Sequence, residues 1–374
     1  MGIDIKTLVP EWIRGLAPYP PGKPIEELER EYGIFGSIKL ASNENPLGPS
    51  PKALAAITAA LSDVHRYPDG NCFYLKRAVA KKYGLSPDAL IFGNGSNEII
   101  ELAVRTFLRP GDEAVMADHA FAIYRLVVQA AGATSRIVPM RNYTHDLDAI
   151  AEAITPATRM VFLANPNNPT GTIFFRREWE AFLRDVPPEV LVVMDEAYCE
   201  FVEDPEYPDS LAAHGLGRLL ITLRTFSKIY GLAGLRIGFG VAHPELIEVM
   251  NRVRQPFNVS SLAQVAALAA LDDHEHVART RQCNREGMAY LRQECARLGL
   301  EYVPSWANFL LIQVGNGGRV YEALLRDGVI VRPMSVYGFA DHIRVTVGTA
   351  EENARCVTGL ERALRGGGAS AAAF

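Results

Sequence analysis

The amino-acid sequence predicts an α/β protein with two domains, the smaller of them at the C-terminal end. The chain of 374 residues, 48% hydrophobic and 22% charged, is long enough for more than one hydrophobic core. The runs at residues 160–164 and 189–194 are apolar without alternation, apart from Glu189 at the start of the second. Such runs indicate strands that are covered on both faces, as parallel strands of α/β sheets are. From residue 259 onward, helical stretches lead into short strands, which predicts the smaller α/β domain.

The predicted large domain spans residues 38–258 and follows an N-terminal arm, residues 1–37, that is rich in proline and charge. A helix is expected after Ser50, because serine is a favoured N-cap and Pro51 suits the first helical position. The other expected elements of this domain are strands at residues 38–42, 89–92, 113–116, 160–164, 189–194 and 219–223, and a helix at residues 99–108.

The predicted small domain spans residues 259–365. Its last helix is expected to begin near Thr349, because Thr349 and Glu352 form the pattern of a capping box. Residues 366–374 are low in complexity and are predicted to be a flexible tail. The other expected elements are helices at residues 262–271 and 285–298, and strands at residues 300–303, 309–314, 329–332 and 342–347.

Composition and charge exclude several classes of function. The formal net charge of -5 offers no basic surface for nucleic acid or for an anionic membrane. No apolar run reaches the length that spans a bilayer, and the N-terminus lacks the pattern of a signal peptide. Five scattered cysteines without metal-ligand spacing indicate reduced thiols. We therefore expect a cytoplasmic protein that binds neither nucleic acid nor membrane and holds no metal.

One lysine, Lys228, stands between an apolar strand and a glycine-rich turn, in the run Thr-Phe-Ser-Lys-Ile-Tyr-Gly-Leu-Ala-Gly-Leu-Arg at residues 225–236. Partial burial lowers the pKa of a lysine, so its neutral amine becomes available for covalent chemistry. Thr225, Ser227 and Arg236 are residue types that suit a phosphate. A lysine beside a phosphate pocket suggests pyridoxal phosphate (PLP), although a solvated loop lysine would also explain this run taken alone.

Three upstream segments count against a solvated loop lysine. Gly95 lies in a loop between a predicted strand and a predicted helix, an order that lets backbone amides bind an anion. The run Asn-Pro-Asn-Asn-Pro-Thr-Gly at residues 165–171 follows a strand end, where ligands bind in open α/β sheets. Asp195 ends a buried strand, where a carboxylate needs a partner such as the protonated ring nitrogen of PLP. Tyr198 follows closely enough to reach the ring oxygen.

The run Ser-Lys-Ile-Tyr-Gly-Leu-Ala-Gly-Leu-Arg-Ile-Gly at residues 227–238 resembles the lysine segment of the fold-type I PLP-dependent aminotransferases. The resemblance is strongest to their histidinol-phosphate aminotransferase branch, and it extends from residue 40 to residue 347. It implies the fold-type I architecture, a large α/β domain with a central, mostly parallel sheet and a smaller α/β C-terminal domain. It also implies a homodimer with shared active sites.

The resemblance implies a role for each residue of the expected site. Lys228 would hold PLP covalently and move the substrate proton, with Asp195 and Tyr198 as the other catalytic residues. Relatives often carry a tyrosine at the position of Phe121. Phenylalanine there keeps the aromatic face for stacking but lacks the hydroxyl. The implied cofactor-binding residues are Gly95, Ser96, Asn97, Phe121, Asn168, Asp195, Tyr198, Thr225, Ser227, Lys228, Arg236 and, across the dimer interface, Tyr67. The implied substrate-binding residues are Arg344 for a carboxylate, Arg332 for a side-chain phosphate, Tyr19 and Asn43.

Four functions are open on the sequence alone. The first is transfer of an amino group from histidinol phosphate to 2-oxoglutarate in histidine biosynthesis. The second is an aromatic amino-acid aminotransferase, for which Arg332 would be no more than a surface arginine. The third is a PLP-dependent decarboxylase of threonine phosphate or a similar phosphorylated amino acid. The fourth is a non-enzymatic ligand sensor, which ranks last because the sequence has no basic segment for a DNA-binding module.

Overall fold

A computed structural model describes residues 5–365 of the chain, so the predicted tail at residues 366–374 lies outside the described residues. The strands are β1 (Ile38–Lys39), β2 (Leu90–Gly93), β3 (Glu113–Ala117), β4 (Thr134–Val138), β5 (Thr158–Ala164), β6 (Leu191–Asp195), β7 (Leu220–Thr225), β8 (Gly238–Ala242), β9 (Tyr302–Val303), β10 (Phe309–Gln313), β11 (Val329–Ile330), β12 (Arg332–Pro333) and β13 (His342–Thr346). The α-helices are α1 (Glu11–Arg14), α2 (Ile25–Tyr32), α3 (Pro51–Ala60), α4 (Phe73–Tyr83), α5 (Ser96–Phe107), α6 (Ile123–Ala130), α7 (Leu147–Glu152), α8 (Arg176–Asp185), α9 (Pro244–Asn251), α10 (Ser261–Leu271), α11 (His274–Arg297), α12 (Gly317–Arg326) and α13 (Ala350–Arg365).

Seven strands form the central sheet in the order β2-β8-β7-β6-β5-β3-β4. Only β8 runs against its neighbours, so the sheet is mostly parallel, which confirms the predicted fold class. Every residue of β6 is buried, as its continuous apolar run predicts. The sequence pattern does not predict β4, whose residues are mostly polar or half-exposed, or β8, which is rich in glycine.

The C-terminal part of the chain contains a second sheet of four antiparallel strands in the order β12-β13-β10-β9. The prediction of one strand at residues 329–332 is wrong, because the chain changes sheets within it. β11 pairs in parallel with β1, whereas β12 pairs with β13. β1 is thus hydrogen-bonded to the C-terminal part, although the predicted boundary at residue 38 assigns it to the large domain. The domain limits stay a prediction.

The helix boundaries follow local capping chemistry. The Ser50 hydroxyl accepts from the Ala53 amide at 3.1 Å, as predicted for the start of α3. The predicted capping box before α13 is present, because Thr349 and Glu352 cap each other's amides at 2.8 and 3.2 Å. α5 begins three residues before the predicted residue 99, directly after Gly95. α11 begins at His274 rather than at the predicted residue 285.

The carboxyl ends of three neighbouring parallel strands lie side by side in the central sheet. Asp195, the last residue of β6, pairs with Ala164 at the end of β5 and with Leu223 near the end of β7. Ligands of open α/β sheets bind outside such strand ends. Among residues 5–365, no helix combines the length and the apolar character needed to cross a membrane.

Candidate active site

A cavity of about 460 Å³ opens at these strand ends. It brings together residues that are up to 325 positions apart in the sequence, from Tyr19 to Arg344. Of the predicted site residues, the cavity is lined by Tyr19, Asn43, Ser96, Asn97, Phe121, Asn168, Asp195, Tyr198, Thr225, Ser227, Lys228, Arg236, Arg332 and Arg344.

Lys228 presents an amine of lowered basicity to the cavity. It lies just beyond β7, and its Nζ donates to the carbonyl oxygen of Ser42 at 3.2 Å. The same nitrogen is 5.5 Å from the centre of the Tyr198 ring. Burial, followed by the positive charge of Arg344, lowers the pKa of Lys228 to about 8. Near that pH a large fraction of the amine is neutral and able to act as a nucleophile or a base.

Asp195 supplies a buried carboxylate whose two protein hydrogen-bond donors are neutral. The Ala197 amide donates to Oδ1 at 3.1 Å, and the Tyr124 hydroxyl donates to Oδ2 at 2.7 Å. Burial raises the pKa of Asp195, and the hydrogen bond from Tyr124 opposes that rise. A buried carboxylate of this kind is suited to a cationic partner in the cavity. Tyr124 is not predicted from the sequence, where its only signal is an aromatic residue three positions after Phe121.

A cradle for an anion is formed at the start of α5. Gly95 has a φ of +78°, and a Cβ added there would lie 2.5 Å from Nη2 of Arg236. A Cβ added at Gly238 of β8 would lie 2.5 Å from the amide nitrogen of Ser96. Gly95 therefore allows the helix start, with its free amides, to lie against Arg236, and Gly238 allows it to lie against β8. Gly95 itself does not line the cavity but shapes its wall.

Two hydroxyls of the Lys228 segment also line the cavity. The Thr225 hydroxyl accepts from the Ser227 amide at 3.1 Å, which fixes the turn that leads to Lys228. The Arg236 guanidinium donates to the Ala233 carbonyl at 3.0 Å and so is held near the cavity. Hydroxyls, helix amides and a guanidinium together form the donor set that phosphate groups prefer.

Arg344 is buried on β13 with unused hydrogen-bonding capacity. Its Nη2 donates to the Ala41 carbonyl at 2.8 Å, and its Nη1 donates to Oδ1 of Asn168. Its Nε has no hydrogen-bond partner among the described residues, although it is buried. Burial lowers the pKa of this guanidinium. The guanidinium lines the cavity, so its positive charge is placed to bind an anionic ligand.

Arg332 provides a second buried guanidinium directly across the strand pair β12–β13 from Arg344. It is 8% exposed, and its Nη2 donates to the Pro20 carbonyl at 2.8 Å. Its guanidinium lies 5.5 Å from the centre of the Tyr19 ring, so the N-terminal arm closes over this side of the cavity. Two buried positive charges in register favour a ligand with two acidic groups or one doubly charged group.

Asn43, which follows β1, is hydrogen-bonded to Tyr198 in the cavity wall. Its backbone has a φ of +55°, and its side-chain amide donates to the Tyr198 hydroxyl at 2.8 Å. Its Oδ1 accepts from the Thr346 hydroxyl at 3.2 Å. Burial raises the pKa of Tyr198, so its hydroxyl stays protonated at neutral pH. The Tyr198 side chain is therefore fixed with its hydroxyl proton available to an acceptor.

Tyr67 is the one predicted site residue that lies away from this cavity. Its side chain is 83% exposed, and its ring stacks on Phe257 at a centroid distance of 4.9 Å. Large exposed aromatic rings mark interaction surfaces. Its expected role across a dimer interface stays a prediction.

Comparisons with known proteins show sequence similarity over nearly the whole chain. The family model described as aminotransferase class I and II matches residues 36–360. Histidinol-phosphate aminotransferase 1 of Nitrosococcus oceani is 54% identical over 353 residues, which cover 94% of this chain and 95% of that protein. The histidinol-phosphate aminotransferase of Moorella thermoacetica is 52% identical over 356 residues, which cover 95% of this chain and 92% of that protein.

A solved structure with a similar fold is also found. The crystal structure of histidinol-phosphate aminotransferase from Sinorhizobium meliloti in complex with pyridoxal-5'-phosphate superposes with a TM-score of 0.88. Its sequence identity is 28%, and the match covers 95% of this chain and 97% of that chain. The similarity therefore extends over both sheets of the structure.

Proposed function

This chain belongs to the class I and II aminotransferases, a PLP-dependent family of enzymes, and we propose that it transfers the amino group of histidinol phosphate to 2-oxoglutarate. The names of its relatives at about half identity support this substrate. The structural observation that carries the proposal is the second buried guanidinium, Arg332, in register with Arg344. The doubly charged phosphate of histidinol phosphate could pair with both guanidinium groups, whereas the single carboxylate of an aromatic amino acid would leave one of them without an anionic partner.

The cavity residues fit PLP. The anion cradle of Ser96, Asn97, Thr225, Ser227 and Arg236 suits its phosphate, and a side chain at Gly95 or Gly238 would fill that cradle. Asp195 would be the counter-charge to a protonated ring nitrogen, and Phe121 offers an apolar face to the ring. Asn168 and Tyr198 would bind the ring oxygen. When bound, PLP supplies an electron sink that stabilises negative charge at the substrate α-carbon.

Each of the cavity side chains has a separate role in the proposed reaction. The Lys228 amine, neutral in part at physiological pH, takes the proton from the substrate α-carbon. Asp195 holds the proton on the ring nitrogen and so maintains the electron sink. Histidinol phosphate has no carboxylate, so Arg344 and Arg332, which both line the cavity, would together bind its phosphate, with Tyr19 beside Arg332. 2-Oxoglutarate accepts the amino group at the same site, with its carboxylates on the same two arginines.

The proposed assembly is a cytoplasmic homodimer with shared active sites. The support is the exposed pair of Tyr67 and Phe257, with Phe73 and Tyr74 also exposed in the adjoining sequence. All five cysteines are unpaired thiols, which suits a reducing compartment. Measuring the molar mass in solution tests the dimer directly, and a monomer at micromolar concentration would contradict it.

Comparison of three amino donors separates the candidate functions. The PLP-loaded protein is mixed with histidinol phosphate, phenylalanine or threonine phosphate, and loss of the near-visible absorbance of the cofactor is followed. We expect the largest kcat/KM with histidinol phosphate and ping-pong kinetics with 2-oxoglutarate. A preference for phenylalanine would establish the aromatic aminotransferase instead. Release of carbon dioxide from threonine phosphate would establish the decarboxylase.

A further inference from the structure

Tyr124 is a buried titratable group in the cavity wall to which the proposed function assigns no role. It is the second residue of α6, and it is 0% exposed. Its ring stacks on Phe162 at a centroid distance of 4.8 Å and an angle of 10°. Phe121 packs against it edge-on at 5.7 Å and 87°. Aromatic contacts on two sides fix the ring, so the direction of its hydroxyl is set by packing.

The Tyr124 hydroxyl is directed at one oxygen of Asp195. The O–H···O distance of 2.7 Å is within the range of a hydrogen bond to an ionised carboxylate. The other oxygen accepts from the Ala197 amide at 3.1 Å. With one donor on each oxygen, the carboxylate cannot turn about its Cβ–Cγ bond without losing a buried hydrogen bond. The plane of the carboxylate is therefore fixed toward the cavity.

Tyr124 can act only as a donor at working pH. Burial and the adjacent Asp195 raise its pKa far above its ordinary value, so the phenol keeps its proton. A permanent donor stabilises the ionised form of Asp195 against the effect of burial, which favours the neutral acid. The hydrogen bond thus decreases the affinity of Asp195 for a proton.

We propose that Tyr124 is a positioning residue that acts through Asp195 to keep the proton on the ring nitrogen of bound PLP. The inference rests on the proposed function, because it presupposes that PLP binds with its nitrogen against Asp195. A carboxylate that already accepts a hydrogen bond from Tyr124 competes less well for the nitrogen's proton. No bond is formed or broken by Tyr124; it fixes where one proton resides. Phe121 and Phe162 serve this role by holding the phenol in place.

The test compares Tyr124→Phe with the unaltered protein and with Tyr83→Phe. Tyr124→Phe keeps the stacked ring and removes only the donor. Tyr83 is a matched control because it also packs on a phenylalanine, Phe239 at 5.9 Å, and lies outside the lining of the cavity. Each apoprotein is first checked by circular dichroism and urea unfolding. PLP labelled with ¹⁵N in the ring is then added, and the nitrogen chemical shift and the equilibrium dissociation constant are measured.

We expect Tyr124→Phe to weaken PLP binding about tenfold, because Asp195 without this donor takes up a proton more readily and a neutral acid binds the protonated ring nitrogen less well. We also expect its ring-nitrogen signal to move toward that of unprotonated pyridine, while Tyr83→Phe leaves both quantities unchanged. An unchanged nitrogen signal in folded Tyr124→Phe would overturn the inference and leave the proposed function intact. A Tyr124→Phe apoprotein that does not fold would also overturn it, in favour of a purely structural role. Failure of the unaltered protein to bind PLP would instead refute the proposed function.

Discussion

Replacing Gly238 with alanine tests the proposed anion cradle by steric means alone. Gly238 does not have a positive φ, so alanine is compatible with its backbone conformation. Its Cβ would lie 2.5 Å from the Ser96 amide nitrogen and 2.9 Å from both the Arg224 carbonyl oxygen and the Gly95 carbonyl carbon. All three atoms belong to the backbone, so no flexible side chain can move aside. The substitution must displace the start of α5 from β8.

The size of the effect follows from these distances. Ordinary contact begins at 3.4 Å, so the Ser96 amide must move by about 0.9 Å. A shift of that size takes the amide out of hydrogen-bonding range of a bound phosphate. Loss of one such charge-assisted bond costs about 1.5–3 kcal/mol, or about a ten- to hundredfold weaker affinity for PLP. Overpacking also lowers the free energy of unfolding by about 1–3 kcal/mol.

Gly240→Ala is the matched control, because Gly240 lies two residues further along β8 and faces the same side. Its added Cβ would meet methyl groups of Ile91 and Ile99 at 3.1 Å, and these are side chains. We expect a similar loss of stability with unchanged affinity for PLP. Both variants are assayed by urea unfolding and by titration of the apoprotein with PLP. If Gly238→Ala binds PLP as tightly as the unaltered protein, the cradle is wrongly placed.

Three further predictions concern the reacting residues. Lys228→Ala should fold normally but abolish turnover, and borohydride should no longer fix the cofactor to the chain, as mass spectrometry would show; residual reduction onto the protein would contradict this. In the unaltered apoprotein, the rate of covalent PLP attachment should rise through about pH 8 and level off above it, because the lowered pKa of Lys228 releases its neutral amine there. A rate still rising through pH 10 would mean an ordinary lysine. Arg332→Ala should lower kcat/KM for histidinol phosphate about a hundredfold and far less for phenylalanine, because it loses a charged hydrogen-bonding partner of the phosphate; equal losses would remove that role.

The sequence by itself determined the chemistry of the strand ends. Asp195 and Lys228 each follow an apolar run, and such runs are local signals of buried strands. The carboxyl ends of parallel strands meet at one edge of a sheet, so these two residues were expected at one site. The start of α3 at Ser50 was equally predictable, because capping depends on residues within one turn of the helix.

Only the tertiary structure decided the contacts between distant segments. Tyr124 meets Asp195 across 71 positions of sequence, and no local pattern distinguishes it from a core tyrosine. The register that sets Arg332 opposite Arg344 depends on a change of sheet after β11, which the apolar run at residues 329–331 conceals. The sequence does not show why residue 238 is a glycine. In the structure, a Cβ at this position would lie 2.5 Å from the backbone nitrogen of Ser96. Such properties depend on packing between elements, whereas periodicity and composition report only on each element alone.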